Sequence, residues 1–468
     1  MRPVPQSRNR RWLSLGLPLV LALHAGAGAA QEPPANATNP DAAEEHALRE
    51  QIRELDQRLR ILERKRELET DQATEKAKTA TTAVASKDGF QLKSADGSFI
   101  LKLRGYVQAD GQFFTGDQPA GVDTFVLRRV RPVLEGTIFK IVDFKFMPDF
   151  GLGTTIIQDA YIDVRLAPAL KVRAGKFKPP VGLERLRSAT AMTFALRGLP
   201  TTIVPNRDLG VEIFGDLAGR RLEYALGVFN GVPDGGSSDQ DSNKDKELAA
   251  RLFFKPFAES TGPLAGLGFG IAGTSGKHSG TVASPGLATY KTTASFFGYR
   301  SDGTAAGTTL AAGDRRRLSP QASYFRGPFG LLAEYAESKT AVRRAASRAT
   351  LRNSASQIAL SWVFGGENTW NGVNVKQDFT GFGSGPGAFE IAARFHEAHF
   401  DSDSFPIFAN PASAAEKVQG WGLGFNWWAN RGLRTLLSYE EFRFDGGGAA
   451  GGDRPDEKVL FTRVQVSF

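Results

Sequence analysis

The 468-residue chain has no cysteine, which excludes a disulfide framework and any thiolate metal site. Beyond the first thirty residues, no stretch approaches the roughly 20 consecutive apolar residues of a membrane helix, because charged residues interrupt every hydrophobic run. Membrane-spanning helices are therefore excluded. Histidine is sparse: of five, His24 lies in an apolar leader, His46 in a heptad segment and His278 in an expected loop. His396, His399 and Asp401 form a metal set without helical or thiolate support, and the run at Gly276-Lys277 lacks the glycine and hydroxyl residue of a phosphate-binding loop. No catalytic residue, metal or cofactor is expected, and nucleic acid is not an expected partner.

What is present begins with a leader. Arg2, Arg8, Arg10 and Arg11 precede the apolar run from Trp12 to Leu23, and Ala27, Gly28, Ala29 and Ala30 follow. That is the pattern of a secretory signal peptide over residues 1–30, cleaved after Ala29 or Ala30. Next, Leu48, Ile52, Leu55, Leu59 and Leu62 recur at spacings of four and three among charged residues, an a/d seam that predicts a coiled coil over 42–69. The next seam position is Arg66, so the coil is marginal alone and would add avidity to an oligomer held elsewhere. The alternative is a surface helix lying on its own domain. Residues 70–87, rich in Ala, Thr and Lys without apolar periodicity, read as a linker.

Residues 88–468 follow another rule. With 52 glycines and 34 phenylalanines, the chain suggests many strands and turns. Segments of about ten residues alternate apolar and polar, as membrane strands do. Ala160, Ile162, Val164 and Leu166 oppose Asp159, Tyr161, Asp163 and Arg165; Leu248, Ala250, Leu252 and Phe254 oppose Arg251 and Lys255; Phe389, Ile391, Ala393 and Phe395 oppose Glu390 and Arg394. The last strand puts Leu460, Val464, Val466 and Phe468 on one face, against Arg463, Gln465 and Ser467. Alternation alone fits a soluble barrel as well as an inverted one. The leader, the terminal Phe and the strand number favour an antiparallel barrel in the outer membrane, in contact with its lipid. Short connections such as 167–169, 217–220, 326–328 and 430–432 contrast with long polar ones at 231–247 and 338–353, the asymmetry of periplasmic turns and external loops.

Several ordered runs carry a family resemblance. Gly105-Tyr106-Val107-Gln108-Ala109-Asp110, Phe125-Val126-Leu127-Arg128-Arg129-Val130-Arg131, Gln158-Asp159-Ala160-Tyr161-Ile162-Asp163, Ala174-Gly175-Lys176-Phe177-Lys178-Pro179, Arg207-Asp208-Leu209-Gly210 and Gly424-Phe425-Asn426-Trp427 resemble the phosphate-selective porin family, of the porin O and P type. The resemblance covers 88–468. It implies a homotrimer of sixteen-stranded barrels, each narrowed by an inward-folded loop, with rows of arginines and lysines conducting anions such as phosphate.

The basic residues fit such a role, because arginine binds oxyanions bidentately while lysine acts as a point charge. Period-two counting places Arg129 and Arg131 on the lumenal face with Glu135; Arg128 falls opposite, so it lies near a rim or a bulge turns it inward. Lys145 joins them between outward Phe144 and Phe146, and Arg251 and Arg394 are further lumenal candidates. The stretch 175–208 is the expected constriction loop, carrying Lys176, Lys178, Arg185, Arg187, Arg197 and Arg207 against Glu184 and Asp208. The bland reading is that these cations pair with lumenal acids such as Asp159, Asp163, Glu334, Glu390 and Glu440. Three functions remain open: an anion-selective channel, a general or sugar-type diffusion porin, and an envelope tether acting through the coil.

Overall fold

The computed structural model describes residues 40–86, 89–116, 121–241 and 243–468. The leader expected over 1–30 and the barrel start expected at Asp88 lie outside them. The chain forms two units, residues 1–74 and 75–468.

Helix α1 (Pro40–Thr79), all but its last five residues in the first unit, is laced by pairs one turn apart, Glu45–Arg49, Glu54–Arg58 and Asp56–Arg60, at 2.5, 2.7 and 2.8 Å. Leu48, Ile52, Leu55, Leu59 and Leu62 are exposed along it. The helix runs on through 70–79, where a linker was expected. Ala73, Glu75 and Lys76 favour helix, and the hydroxyls of Thr70 and Thr74 donate to the carbonyls of Arg66 and Thr70 at 2.7 and 2.8 Å. The rest of that stretch holds a strand.

The second unit is built of strands, in chain order β1 (Thr82–Ser86), β2 (Gly89–Lys93), β3 (Ile100–Thr115), β4 (Thr124–Ile138), β5 (Val142–Asp149), β6 (Ile156–Ala167), β7 (Leu170–Phe177), β8 (Asp208–Leu217), β9 (Leu222–Phe229), β10 (Glu247–Phe254) and β11 (Leu267–Ser279). There follow β12 (Thr289–Lys291), β13 (Ser295–Gly298), β14 (Leu310–Arg326), β15 (Phe329–Arg344), β16 (Ser347–Phe364), β17 (Gly366–Thr369), β18 (Gly372–Val375), β19 (Ala388–His399), β20 (Ala415–Trp428), β21 (Leu433–Gly446) and β22 (Glu457–Ser467). Neighbours pair antiparallel, and β22 pairs back onto β3, closing a barrel of sixteen strands. Closure leaves no sheet edge among them. Where β22 ends, β2 takes its place on β3, setting Phe90 opposite Leu103. Phe468 exchanges both backbone hydrogen bonds with Gly105, at 3.0 Å each. A Cβ on Gly105 would stand 3.1 Å from the Phe468 ring, so this close approach suits glycine.

Outward residues of successive strands, among them Ile162, Leu226, Val228, Leu248, Leu252, Ile391 and Val464, form an exposed apolar belt. Their charged alternates turn inward. The short connections 139–141, 168–169, 218–221, 327–328 and 429–432 share one end with Ile100 and Ser467, while 178–207, 230–246, 280–309 and 400–414 crowd the other. Two connections depart from expectation. The stretch 338–353, expected as a long loop, is the hairpin of β15 and β16; its outward face carries Lys339, Arg343, Arg348 and Arg352, and its inward face mixes Ser338, Thr340 and Asn353 with Val342 and Leu351, which packs against Phe408, so the apolar-out alternation is lost. The connection 365–387, at the short-turn end, is long and contains β17 and β18.

Candidate functional site

Residues 178–207 leave β7 and fold into the lumen, where short helices α2 (Leu183–Leu186) and α3 (Pro200–Ile203) form. Lumenal side chains hold the backbone of this loop. The Glu334 carboxylate on β15 accepts the Leu183 and Glu184 amides, satisfying donors left open at the start of α2. Gln357 on β16 donates to Glu334 and Glu184 at 2.9 and 3.0 Å, and Glu184 accepts the Gly198 amide at 2.7 Å. A Cβ on Gly198 would fall 1.9 Å from the Gln357 Oε1. Farther round, the Leu199 amide donates to His396 Nδ1 at 3.2 Å, Arg394 donates to the Leu196 carbonyl and Asn426 to the Thr193 carbonyl at 3.1 Å each, and Arg463 to the Ala195 carbonyl at 3.1 Å. The loop is thus fastened to the wall from β15 through β22. It also touches β3 to β5, where Gln108 donates to the Ala189 carbonyl at 3.1 Å and Met192 packs with Tyr106, Val133 and Met147; elsewhere it faces β3 to β7 across an open cavity of about 1290 Å³.

Cations dominate that cavity. Arg104, Arg128, Arg129, Arg131, Lys145 and Arg173 line it from the wall, and Lys178, Arg185, Arg197 and Arg207 from the loop segment, with Lys291 and Arg431 also present; the acids are Glu135, Asp149, Asp159 and Asp234. Some are paired. Arg131 meets Asp149 at 2.7 Å, Arg207 and Lys145 meet Asp159 at 3.2 and 3.7 Å, and Arg173 forks onto Asp163 with two bonds of 2.7 Å. Others have no carboxylate within ion-pair distance among the described residues. Arg129 donates to the Gln108 amide oxygen at 2.6 Å; Lys178 donates to the Leu186 and Arg187 carbonyls at 3.2 and 2.9 Å. Arg185 is bound to Asn206 and the Thr201 carbonyl, and Arg197 to the Glu184 and Arg187 carbonyls. Arg128 is the extra residue of a bulge: β3 pairs Gln108 with Arg129 and Ala109 with Leu127, leaving Arg128 unopposed.

Crowding shows in the loop's basicity. Burial, then the guanidinium groups of Arg207 and Arg197, holds the Lys178 ammonium well below its ordinary pKa. Burial, then Arg197 and Arg207, brings Arg185 down to about 9; burial brings Arg197 to about 10 despite Glu184.

Of the twelve candidate residues, four lie away from this cavity. Lys176 pairs with Asp239. Arg251 bonds Gln321 and Glu223 at 3.1 and 3.4 Å on the wall beyond the loop. Arg394 is buried against Glu440 at 2.5 Å, beneath the loop. Arg187 does not line the cavity; it donates to the Trp370 and Thr369 carbonyls at 2.9 and 3.2 Å and lies over the Phe325 ring at 4.7 Å. It thereby joins the constriction loop to the β17–β18 hairpin inside the lumen. Period two says only that a side chain points inward; a loop dividing the lumen then decides which side it meets. Arg104, Arg173, Lys291 and Arg431 line the cavity and were not singled out from sequence, although alternation with Leu170 and Val172 puts Arg173 on the inward face. The acids divide similarly: Asp159, Asp163 and Glu440 pair with cations, whereas Glu334 binds loop amides and Glu390 accepts from Asn426 and Trp428. His396, His399 and Asp401 do not converge: His399 neighbours Glu397 at 3.6 Å, and Asp401 accepts the Arg352 amide at 2.8 Å.

The family model described as phosphate-selective porin O and P matches residues 101–468. The chain belongs to this family. Porin O of Pseudomonas aeruginosa is similar to it, 23% identical over 432 residues, which cover 83% of this chain and 93% of that one. Among solved structures, the outer membrane channel DcaP of Acinetobacter baumannii shares the fold at a TM-score of 0.52 and 14% identity, covering 83% of this porin and all of that chain. The trimer form of OmpT of Vibrio cholerae aligns at a TM-score of 0.49 with 10% identity, over 79% of this porin and all of that chain. The protein is an outer-membrane porin channel.

Proposed function

We propose that the porin passes small anions, phosphate and other oxyanions first among them, through the cavity between its constriction loop and the wall from β3 to β7. The observation that carries this reading is the set Arg128, Arg129, Lys178, Arg185 and Arg197, five cavity-lining cations without a carboxylate partner among the described residues. An anion entering there exchanges hydration for charge-assisted hydrogen bonds, and several shared weak sites let it leave again. The outer membrane would be reached by way of the N-terminal leader, and the barrel would act as a homotrimer, with the exposed α1 seam pairing between copies. The ion pairs Arg131–Asp149 and Arg207–Asp159 favour a second reading, a general diffusion porin of weak preference.

Single-channel recording in a planar bilayer under a salt gradient, with phosphate titrated against chloride, separates the two. Strong anion selectivity with block by low phosphate supports the first. Large conductance with a reversal potential near zero and no block refutes it.

A further inference from the structure

Strands β14, β15 and β16 run for 17, 16 and 18 residues. Along the outward face of β15, Leu331 and Ala333 give way to Tyr335, then Glu337 and Lys339. Tyrosine is the residue expected where a barrel wall leaves the hydrocarbon. Beyond it, register sets Arg316 of β14 opposite Lys339 of β15, and Lys339 opposite Arg352 of β16. Three cations therefore stand in one row across three strands, their side chains 69%, 51% and 59% exposed. Nearer the turn, Arg343 faces Arg348. Like charges directly opposed destabilise a sheet. Compensation is partial, two acids for three cations: Glu337 takes two bonds from the Arg352 guanidinium at 2.9 and 2.6 Å and lies 3.4 Å from Lys339, and Asp314 lies 3.4 Å from Arg316. Asp401 is engaged by the Arg352 amide.

We infer that this row binds the phosphate groups of an outer-leaflet glycolipid. Four residues from Tyr335 to Lys339 rise about 13 Å along the strand, or about 10 Å along the membrane normal after strand tilt. That places the row a few Å beyond the polar layer of about 5–7 Å that caps the hydrocarbon, where long arginine and lysine side chains reach back to the phosphates of sugar headgroups. The row sits at the loop-rich end, which faces outward in such barrels. A bidentate guanidinium fits a phosphate monoester, and one anion between two opposed cations removes the repulsion that the sheet otherwise bears. The site is on the outer face of the wall, so it is separate from the ion path.

The test is native mass spectrometry of the full-length porin with lipid A carrying two phosphates, with the same lipid after phosphatase treatment, and with phosphatidylglycerol. The expected result is retention of the bisphosphorylated lipid, at least tenfold weaker retention of the dephosphorylated one, and loss of that difference in R316Q/K339Q/R352Q with conductance unchanged. Single K339Q, which removes the middle cation, should lose part of it and covers the case in which the triple variant does not fold. Equal retention by wild type and variants overturns the inference, as does equal retention of lipid A with and without phosphate, or of phosphatidylglycerol.

Discussion

Lys176 and Lys178 are two residues apart at the end of β7, and converting either to glutamine removes the same charge. Their surroundings differ. Lys178 lines the cavity with only carbonyl partners, whereas Lys176 points away and is tied to Asp239, whose side chain is 57% exposed. A unit charge acting on a monovalent anion at 4 Å contributes about 1 kcal/mol in bulk water and about 4 kcal/mol near a protein surface. For a wet but narrow cavity, about 1–2 kcal/mol is the working range, a factor of about 5–30 in occupancy. Lys178→Gln should therefore raise the half-blocking phosphate concentration about 5- to 30-fold and move the reversal potential toward zero. Lys176→Gln leaves a solvated carboxylate, screened within about 10 Å at 0.1 M salt, and should change block by less than about twofold. The assay is single-channel recording of both variants in the same gradient, with heat-dependent gel mobility to confirm intact barrels. Equal shifts in the two variants would refute the placement of the ion path.

The lowered pKa of Lys178 adds a pH signature: its charge is present at low pH and lost as pH rises through a value below that of ordinary lysine, so phosphate block should weaken on alkalinisation sooner than in Lys178→Arg, read by titrating block between pH 6 and 10. Glu334→Ala removes the acceptor of two loop amides and of Gln357, a local loss of about 3 kcal/mol; conductance should rise and anion preference fall, and an unchanged conductance would show that the loop is held by other means. Arg187→Met should free the β17–β18 hairpin by a similar amount, detected as protease cleavage within 366–375 that the wild type resists. Leu55→Asp places a charge in the α1 seam and should lower the temperature at which oligomers separate on gels, while the heat-dependent mobility of the barrel itself stays unchanged.

Alternation made the barrel legible wherever one face meets lipid and the other water, as at β6 with Ile162 against Asp163. It failed at 338–353, where the outward face is charged and the inward face mixes Ser338 and Thr340 with the buried Val342 and Leu351, so the stretch read as a loop although β15 and β16 run through it. Helix 70–79 was hidden for a related reason: apolar periodicity reports packing against a partner, and this stretch is held by propensity and threonine back-bonding instead. The bulge at Arg128 was one of two outcomes the alternation allowed, since an arginine among Val126, Val130 and Leu134 had to find a rim or a kink. The cavity itself was only half legible. Sequence names inward cations, but whether Arg394 meets solute or Glu440 depends on how a thirty-residue excursion divides the lumen, and that follows from long-range contacts such as Glu334 with the amides of α2.

The arrangement of unpartnered charge carries one more consequence. Arg128 and Arg129 stand on the wall while Lys178, Arg185 and Arg197 stand on the loop across the same cavity. Cations opposing acids would create a field transverse to the channel and align every dipole passing through it. Cations opposing cations instead cancel much of that sideways field and leave a trough of positive potential along the midline. On the proposed ion path a solute would then be sorted by its net charge, with little reward for its dipole, and a neutral polar molecule would gain nothing from lying one way or the other.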